Sequence, residues 1–285
     1  MTDGIILINK PEGITSFSAV AAVKRRLGVK CGHSGTLDPM ATGLLPIMCG
    51  KATKLCQYLT DGDKAYTAKL RFGIETDTHD ITGQITKQDN MTVDLNEIKK
   101  VIPNFLGEIK QFPPAYSAIK VGGTALYKLA REGKDVEVPE RTVTIYSIDI
   151  IDFKDNELTI DVRCSKGTYI RSLCRDIARA IGTVGTMSSL VRTETGGWHI
   201  DNSVRLDDEN LENHIIPIED ALSYMQKFYP GDFFSRLLRN GCEIDTVKLK
   251  NLPLGHSLVF NNELLGIGTV IQKNGKNLYK IITHI

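Results

Sequence analysis

The chain has 285 residues, 41% apolar and 24% charged, with a formal net charge of +1. That length accommodates one large domain plus a small one, and the composition is that of an ordinary globular protein, which excludes disorder, collagen and coiled coil. The longest apolar runs, such as Ile5–Ile8, fall far short of the roughly 18 residues of a membrane helix, and the N-terminus lacks the basic and apolar regions of a secretory leader, so a cytoplasmic protein without membrane contact is expected.

"GIILINK" reads as a short buried strand that "PEG" breaks. "ITSFSAVAAVKRRLG" reads as a helix capped by Thr15 or Ser16, carrying Val20, Val23 and Leu27 near helical spacing and stopped by Gly28. The glycine-rich stretch "GHSGTLDPMATG", Gly32–Gly43, follows, then the apolar "LLPIMCG". "KATKLCQYLTDG" reads as a helix, and "KAYTAKLRFG" as a strand with Tyr66, Ala68, Leu70 and Phe72 on one face. "IETDTHDITGQ" is turn-rich, and "DLNEIKKVIPNFLG" reads as a helix ending near Pro103. The proline-, glycine- and lysine-containing segment after Phe112 has the character of a functional loop, with a short helical piece around Ala125–Arg131. "TVTIYSIDIIDF" and "ELTIDVRC", separated by "KDN", make a hairpin. "KGTYIRSLCRDIARAIG" is a turn into an amphipathic helix, and "VGTMSSLVRTETGGWHI" is strand material. The region from Asp201 to Lys227 is acidic and the region from Phe228 to Ile285 mildly basic. That shift predicts a boundary, with a small β-rich unit beyond it. Hairpin-paired strands mixed with helices point to an α+β fold.

Asp38 is the one carboxylate of the glycine-rich stretch. Asp-Pro is by default a turn dipeptide. Gly32, Gly35 and Gly43, however, allow the backbone to come close to a ligand, and a carboxylate on such a loop can serve as nucleophile or general base. No phosphate-loop pattern is present, and Gly32-His33-Ser34-Gly35 is one residue short of a nucleophile elbow. The six cysteines include no C-x-x-C pair, so reduced core thiols are expected. Cys31, His33, Cys49 and Cys56 match no zinc-ligand spacing, and no metal is expected.

"GHSGTLDPMATGLLPIMCGKATKL" does not stand alone. "INKPEGITSF", "DKAYTAKLRFGIETDTHDITGQI", "FPPAYSAIKVGGTALYKLAREG", "CSKGTYIRSLCRDI" and "LVRTETG" follow in order, spanning about Gly4–Gly196. Together they resemble the TruB-type tRNA pseudouridine synthases, which act on the T-loop uridine. The resemblance implies an α+β pseudouridine-synthase fold, with a central mixed, largely antiparallel sheet flanked by helices over residues 1–227. It implies an RNA-gripping insertion at about 112–140, with Lys120, Lys128, Arg131 and Lys134, and a PUA-like RNA-binding domain over residues 228–285. It makes Asp38 the catalytic nucleophile, Tyr66 the ring that stacks on the target uracil, and Arg171 the ion-pair partner that lowers the pKa of Asp38. Tyr169 and Leu190 become walls of the uracil pocket, His33 a T-loop contact, Lys10 with Pro11 a support beneath the loop, and Asp80 an ordering group near Arg171. The reaction is an isomerisation, so no cofactor is implied. The partner is the T-arm of tRNA, and the family expectation is a monomer. Three questions stay open at this level: whether Asp38 attacks carbon or takes a sugar proton, whether a different RNA is the target, and whether RNA binding or folding is a role of its own.

Overall fold

The computed structural model describes residues 2–60, 62–114, 116, 120–121, 124–125 and 139–285. Lys128, Arg131 and Lys134 of the expected RNA grip, and the helical piece expected beyond Ala125, lie outside the described residues.

The first strand, β1 (Gly4–Lys10), is buried on both faces, as a central strand must be. Helix α1 (Ser16–Leu27) starts where the Thr15 side chain accepts from the Ser18 amide, and stops at Gly28, whose φ of 67° only glycine adopts cheaply. Next come β2 (Cys31–His33) and β3 (Thr42–Cys49). The helix expected over "KATKLCQYLTDG" is shorter. Residues Gly50–Leu55 form a 3-10 turn before α2 (Cys56–Thr60). The reason is local: the Thr53 hydroxyl donates to Gly50 O at 2.8 Å, and Asp3 accepts from the Lys51 amide. The hydroxyl occupies the Gly50 carbonyl that an α-helix would offer to the amide four residues on, while Asp3 caps a first-turn amide.

Strand β4 (Lys64–Phe72) alternates as its sequence predicts. Strands β5 (Ile74–Thr76) and β6 (Ile85–Gln88) pair as a small hairpin. Helix α3 (Leu95–Val101) opens on a capping box between Asp94 and Glu97 and gives way to a tight turn containing Pro103. After β7 (Gly107–Gln111), β8 (Lys120–Val121) and β9 (Thr124–Ala125) form a two-stranded ribbon. Strands β10 (Arg141–Lys154) and β11 (Glu157–Cys164) form the expected hairpin across Asp155 and Asn156, both at positive φ. Helix α4 (Ile170–Ile181) leads into β12 (Gly185–Thr195) and its short neighbours β13 (Trp198–His199), β14 (Val204–Arg205) and β15 (Ile216–Pro217). The remaining elements are α5 (Ile218–Ala221), β16 (Gln226–Phe228), α6 (Asp232–Arg239), β17 (Ile244–Asp245), β18 (Ser257–Asn261), β19 (Glu263–Lys273) and β20 (Lys276–His284).

The large sheet runs β14-β1-β3-β12-β4-β11-β10-β7. It is antiparallel except where β1 meets β14 and β3 meets β12, so it is the mixed, largely antiparallel sheet expected. Helices α1 and α4 bury Val20, Val23, Leu173 and Ile177 in one apolar cluster with Ala68, Leu70 and Ile160 of the sheet. A second sheet, β16-β18-β19-β20-β17, begins within two residues of the charge boundary. It has its own core around Leu238, Val259 and Tyr279. Among the described residues no helix is long and apolar enough to cross a membrane.

Candidate active site

The stretch between β2 and β3 is pinned from below before any function is considered. The Ser16 hydroxyl donates to Leu37 O at 2.9 Å and accepts from the Leu37 amide at 2.8 Å. The side chains of Leu37 and Ala41 are buried. The Ala41 amide donates to Asp38 O, which closes a turn. Lys10, fully buried, donates from Nζ to the carbonyls of Pro11, Ile14 and Pro39 at 2.9, 2.8 and 3.3 Å. A lysine at the end of a buried strand is therefore a tie beneath the loop. Burial holds it down to about 8, against the opposing pull of Asp38. Of the three glycines expected to bend this loop, Gly35 and Gly43 have φ of 83° and 100°. Gly32 instead lies in β2.

This foundation sets Asp38 against Arg171. Arg171 Nε lies 3.0 Å from Asp38 Oδ2, and its Nη2 donates to Oδ1 at 3.3 Å, a two-pronged contact. The arginine is in the first turn of α4 yet only 5% exposed. Its Nη1 donates to Thr78 O at 3.1 Å and to Asp80 Oδ2 at 3.4 Å, and its Nη2 donates to Tyr116 O at 2.9 Å. Asp80 is fixed in turn by the Thr78 hydroxyl and by the amide and hydroxyl of Thr82. The T-D-T-x-D turn thus supplies a second carboxylate that aims the guanidinium from behind.

One expectation needs correcting. Arg171 does pull the Asp38 carboxyl down, but the net direction is up, because desolvation by the loop and sheet outweighs the guanidinium and Asp80 adds repulsion. The side chain of Asp38 nonetheless keeps 34% of its surface open, whereas that of Arg171 keeps 6%. The Asp38 side chain is partly open and its partner is sealed.

Tyr66 lies on β4 and is buried, opposite Val162 of β11 and Arg192 of β12. Leu190 sits two residues before Arg192, opposite Ala68, and is also buried. His33 lies at the end of β2. Its Nδ1 is buried without a hydrogen-bond partner among the described residues, and burial lowers its pKa. Tyr169 precedes α4. Its backbone amide donates to Gln111 Oε1 at 3.1 Å, and the Arg141 guanidinium stands 5.5 Å from its ring. Direct polar contact therefore joins Asp38, Arg171 and Asp80, while Tyr169 and Gln111 form a neighbouring cradle at the head of α4.

Sequence reasoning missed Arg192, Gln111 and the threonines that hold Asp80. Arg192 carried a signal: an arginine at an inward position of an alternating strand. Gln111 carried none, since its partner Tyr169 is far away in sequence, whereas the threonines stand two residues on either side of Asp80, a local spacing. Cys31 and Cys49 face each other across β2 and β3 with sulfurs 3.8 Å apart, and all six cysteines are free. A cleft of about 1010 Å³ lined by Tyr58, Trp198 and Tyr224 contains none of these site residues.

The family description "TruB family pseudouridylate synthase (N terminal domain)" matches residues 22–170. The chain is 42% identical to a tRNA pseudouridine synthase B of Alkaliphilus oremlandii (strain OhILAs), over 97% of this chain and 96% of that one. It is 44% identical to a tRNA pseudouridine synthase B of Clostridium tetani (strain Massachusetts / E88), over 87% of each. Among solved structures it resembles a chain of a Cbf5–Nop10–Gar1 complex, at 25% identity and a TM-score of 0.72, covering 97% of this chain and 83% of that one. The chain belongs to the TruB family of pseudouridylate synthases.

Proposed function

We propose that this protein isomerises a uridine in the T-loop of tRNA to pseudouridine, with Asp38 as nucleophile. The single observation that carries the mechanism is the partly open Asp38 carboxylate gripped on both oxygens by a sealed Arg171. A target base inside a folded RNA loop must first be extruded, at a few kcal/mol of unstacking that an aromatic ring can offset. Tyr66, with Leu190 beside it on the next strand, is the ring so assigned. The N1–C1′ bond then breaks and its electron pair leaves with the uracil. The carboxylate beneath the sugar meets the electron-deficient centre, either by bonding to C1′ or by taking a sugar proton. The uracil turns and C5 bonds to C1′ as the Asp38–C1′ bond breaks and its electron pair returns to the carboxylate or, where a sugar proton was taken, as Asp38 gives that proton back to the sugar. The proton that C5 carried is lost and N1 acquires one.

Arg171 holds the carboxylate in one orientation, and Asp80 holds Arg171. His33, with an unpartnered ring nitrogen, is assigned a T-loop contact. Tyr169 walls the pocket. Residues 1–227 form the catalytic domain, with the RNA-gripping insertion at about 112–140. Residues 228–285 form a PUA-like RNA-binding domain, which the small second sheet supports.

The test is tritium release from C5-labelled transcripts of a T-loop stem-loop and of ribosomal RNA, with wild type and Asp38→Asn. Wild type should release tritium from the T-loop RNA. Asp38→Asn should release none, a loss of roughly 10⁴-fold or more, while still retarding the RNA in a gel. Release from the ribosomal transcript alone would reassign the target, and full activity in Asp38→Asn would sink the assigned nucleophile.

A further inference from the structure

Arg192 has no role in the mechanism just proposed, yet among the described residues it is the largest fully buried side chain. Strand register sets it there. On β12 it lies opposite Tyr66 of β4 on one side and Gly43 of β3 on the other. Its Nε donates to Leu44 O at 2.8 Å and its Nη2 to Gly35 O at 3.1 Å. Its guanidinium charge also bears on the Tyr66 phenol across the strand pair. No carboxylate among the described residues pairs with it. A buried cation without a counter-ion is costly, and an apolar side chain would fill the same strand position without that cost. The two carbonyls it holds explain its presence: Gly35 and Leu44 bracket the loop that carries Asp38, and the strand that holds them faces Tyr66, the ring assigned to the uracil. A planar guanidinium can serve both carbonyls at fixed angles, whereas an ammonium cannot.

We propose that Arg192 is a positioning residue that ties both ends of the Asp38 loop to β12 directly opposite Tyr66. Carboxylate and ring are thereby held in one register. This rests on the function proposed above. The charged and titratable groups facing Tyr66 are Arg192 from β12, Cys164 from β11 and Asp38 from the loop. Burial raises the Tyr66 phenol, Cys164 and Asp38 add to that, and Arg192 alone among the charged neighbours opposes it.

The test places 3-fluorotyrosine at position 66 and follows its titration by ¹⁹F NMR in the RNA-free protein, alongside steady-state kinetics on T-loop RNA, for Arg192→Met and Arg192→Lys. Arg192→Met should raise the titration midpoint, because the one opposing charge is removed. It should lower kcat by at least about tenfold and leave KM within about twofold. Arg192→Lys should keep the midpoint near that of wild type and recover only part of kcat, since it restores the charge and not the fork. An unmoved midpoint in Arg192→Met, or a loss carried by KM alone, would overturn the proposal. If Arg192→Met does not fold, Arg192→Lys decides, and a wild-type kcat there would overturn it. The titration needs no RNA, so a wild type inactive on T-loop RNA would strike the proposed function and leave the fluorine result standing.

Discussion

Replacing Gly43 by alanine should weaken the catalytic sheet, whereas the same change at Gly32, eleven residues earlier on the other side of the loop, should not. At Gly43 the added Cβ would lie 2.4 Å from Arg192 O and 2.8 Å from Arg192 N, and φ is +100°. Both neighbours are backbone atoms of β12, held in the sheet on either side, so neither can swing aside. The left-handed conformation costs an L-residue about 1–2 kcal/mol, and overpacking of this kind about 1–3 kcal/mol. The sum, about 2–5 kcal/mol, converts at about 2–4 °C per kcal/mol into a fall in Tm of roughly 4 °C or more. At Gly32 no heavy atom lies within 4 Å of the added Cβ and φ is not in the positive range, so the change should stay within about 0.5 kcal/mol. Calorimetry and urea unfolding of both variants check this. Equal losses at the two positions, or a Gly43→Ala loss below about 0.5 kcal/mol, would refute the reasoning, because the contrast depends on the close approach of β3 to β12 and not on glycine content.

Two further outcomes follow from the buried charges. As the proposed nucleophile Asp38 would have to be ionised, and burial raises its pKa above the ordinary 3.8, so activity should fall on acidification at a pH above 3.8. In Arg171→Gln, which keeps the repulsion of Asp80 and removes the cation, that limb of the single-turnover profile should move to still higher pH; a limb at or below 3.8 in wild type would contradict the assignment. Lys10 is held down to about 8 in the fold, against an ordinary 10.5. Between those values the unfolded chain keeps a proton that the folded chain releases, so this group's contribution to stability rises with pH, on the order of 1 kcal/mol per unit. Urea midpoints of wild type and Lys10→Met at pH 8 and pH 10 should therefore differ in slope, with wild type gaining relative to the variant as pH rises, and parallel slopes would count against it.

The strands and helices were legible where a pattern is local. Alternation placed Tyr66, Ala68, Leu70 and Phe72 on one face, and they are buried together. Turn chemistry placed the hairpin at Asp155 and Asn156, and Thr15 and Gly28 framed α1. The helix read over residues 51–62 begins as a 3-10 turn because the Thr53 hydroxyl occupies the Gly50 carbonyl, a local competition that helical periodicity does not record. At the site, Asp38 stood out by its setting among glycines, and Tyr66 and Arg171 by their motifs. The clamp formed by Arg192 depends on register between three strands far apart in sequence, which no single segment encodes. The direction of the Asp38 shift was likewise hidden. A partner can be read from residues, but the water that folding removes cannot.

The junction between the two sheets bears on how force and heat pass through the molecule. Ile5, Leu7, Leu44 and Met48 of the large sheet share one buried apolar cluster with Leu258, Phe260 and Ile267 of the small one. The acidic-to-basic boundary is thus a change of strand partners with no solvent seam beneath it. Leu44 belongs to that cluster, and its carbonyl is one of the two that Arg192 grips. The tail is therefore ballast for the loop. A disturbance of Phe260 or Ile267 is one packed layer away from the carbonyl that seats the Asp38 hairpin, and the reacting group and the chain's last strands share a keel.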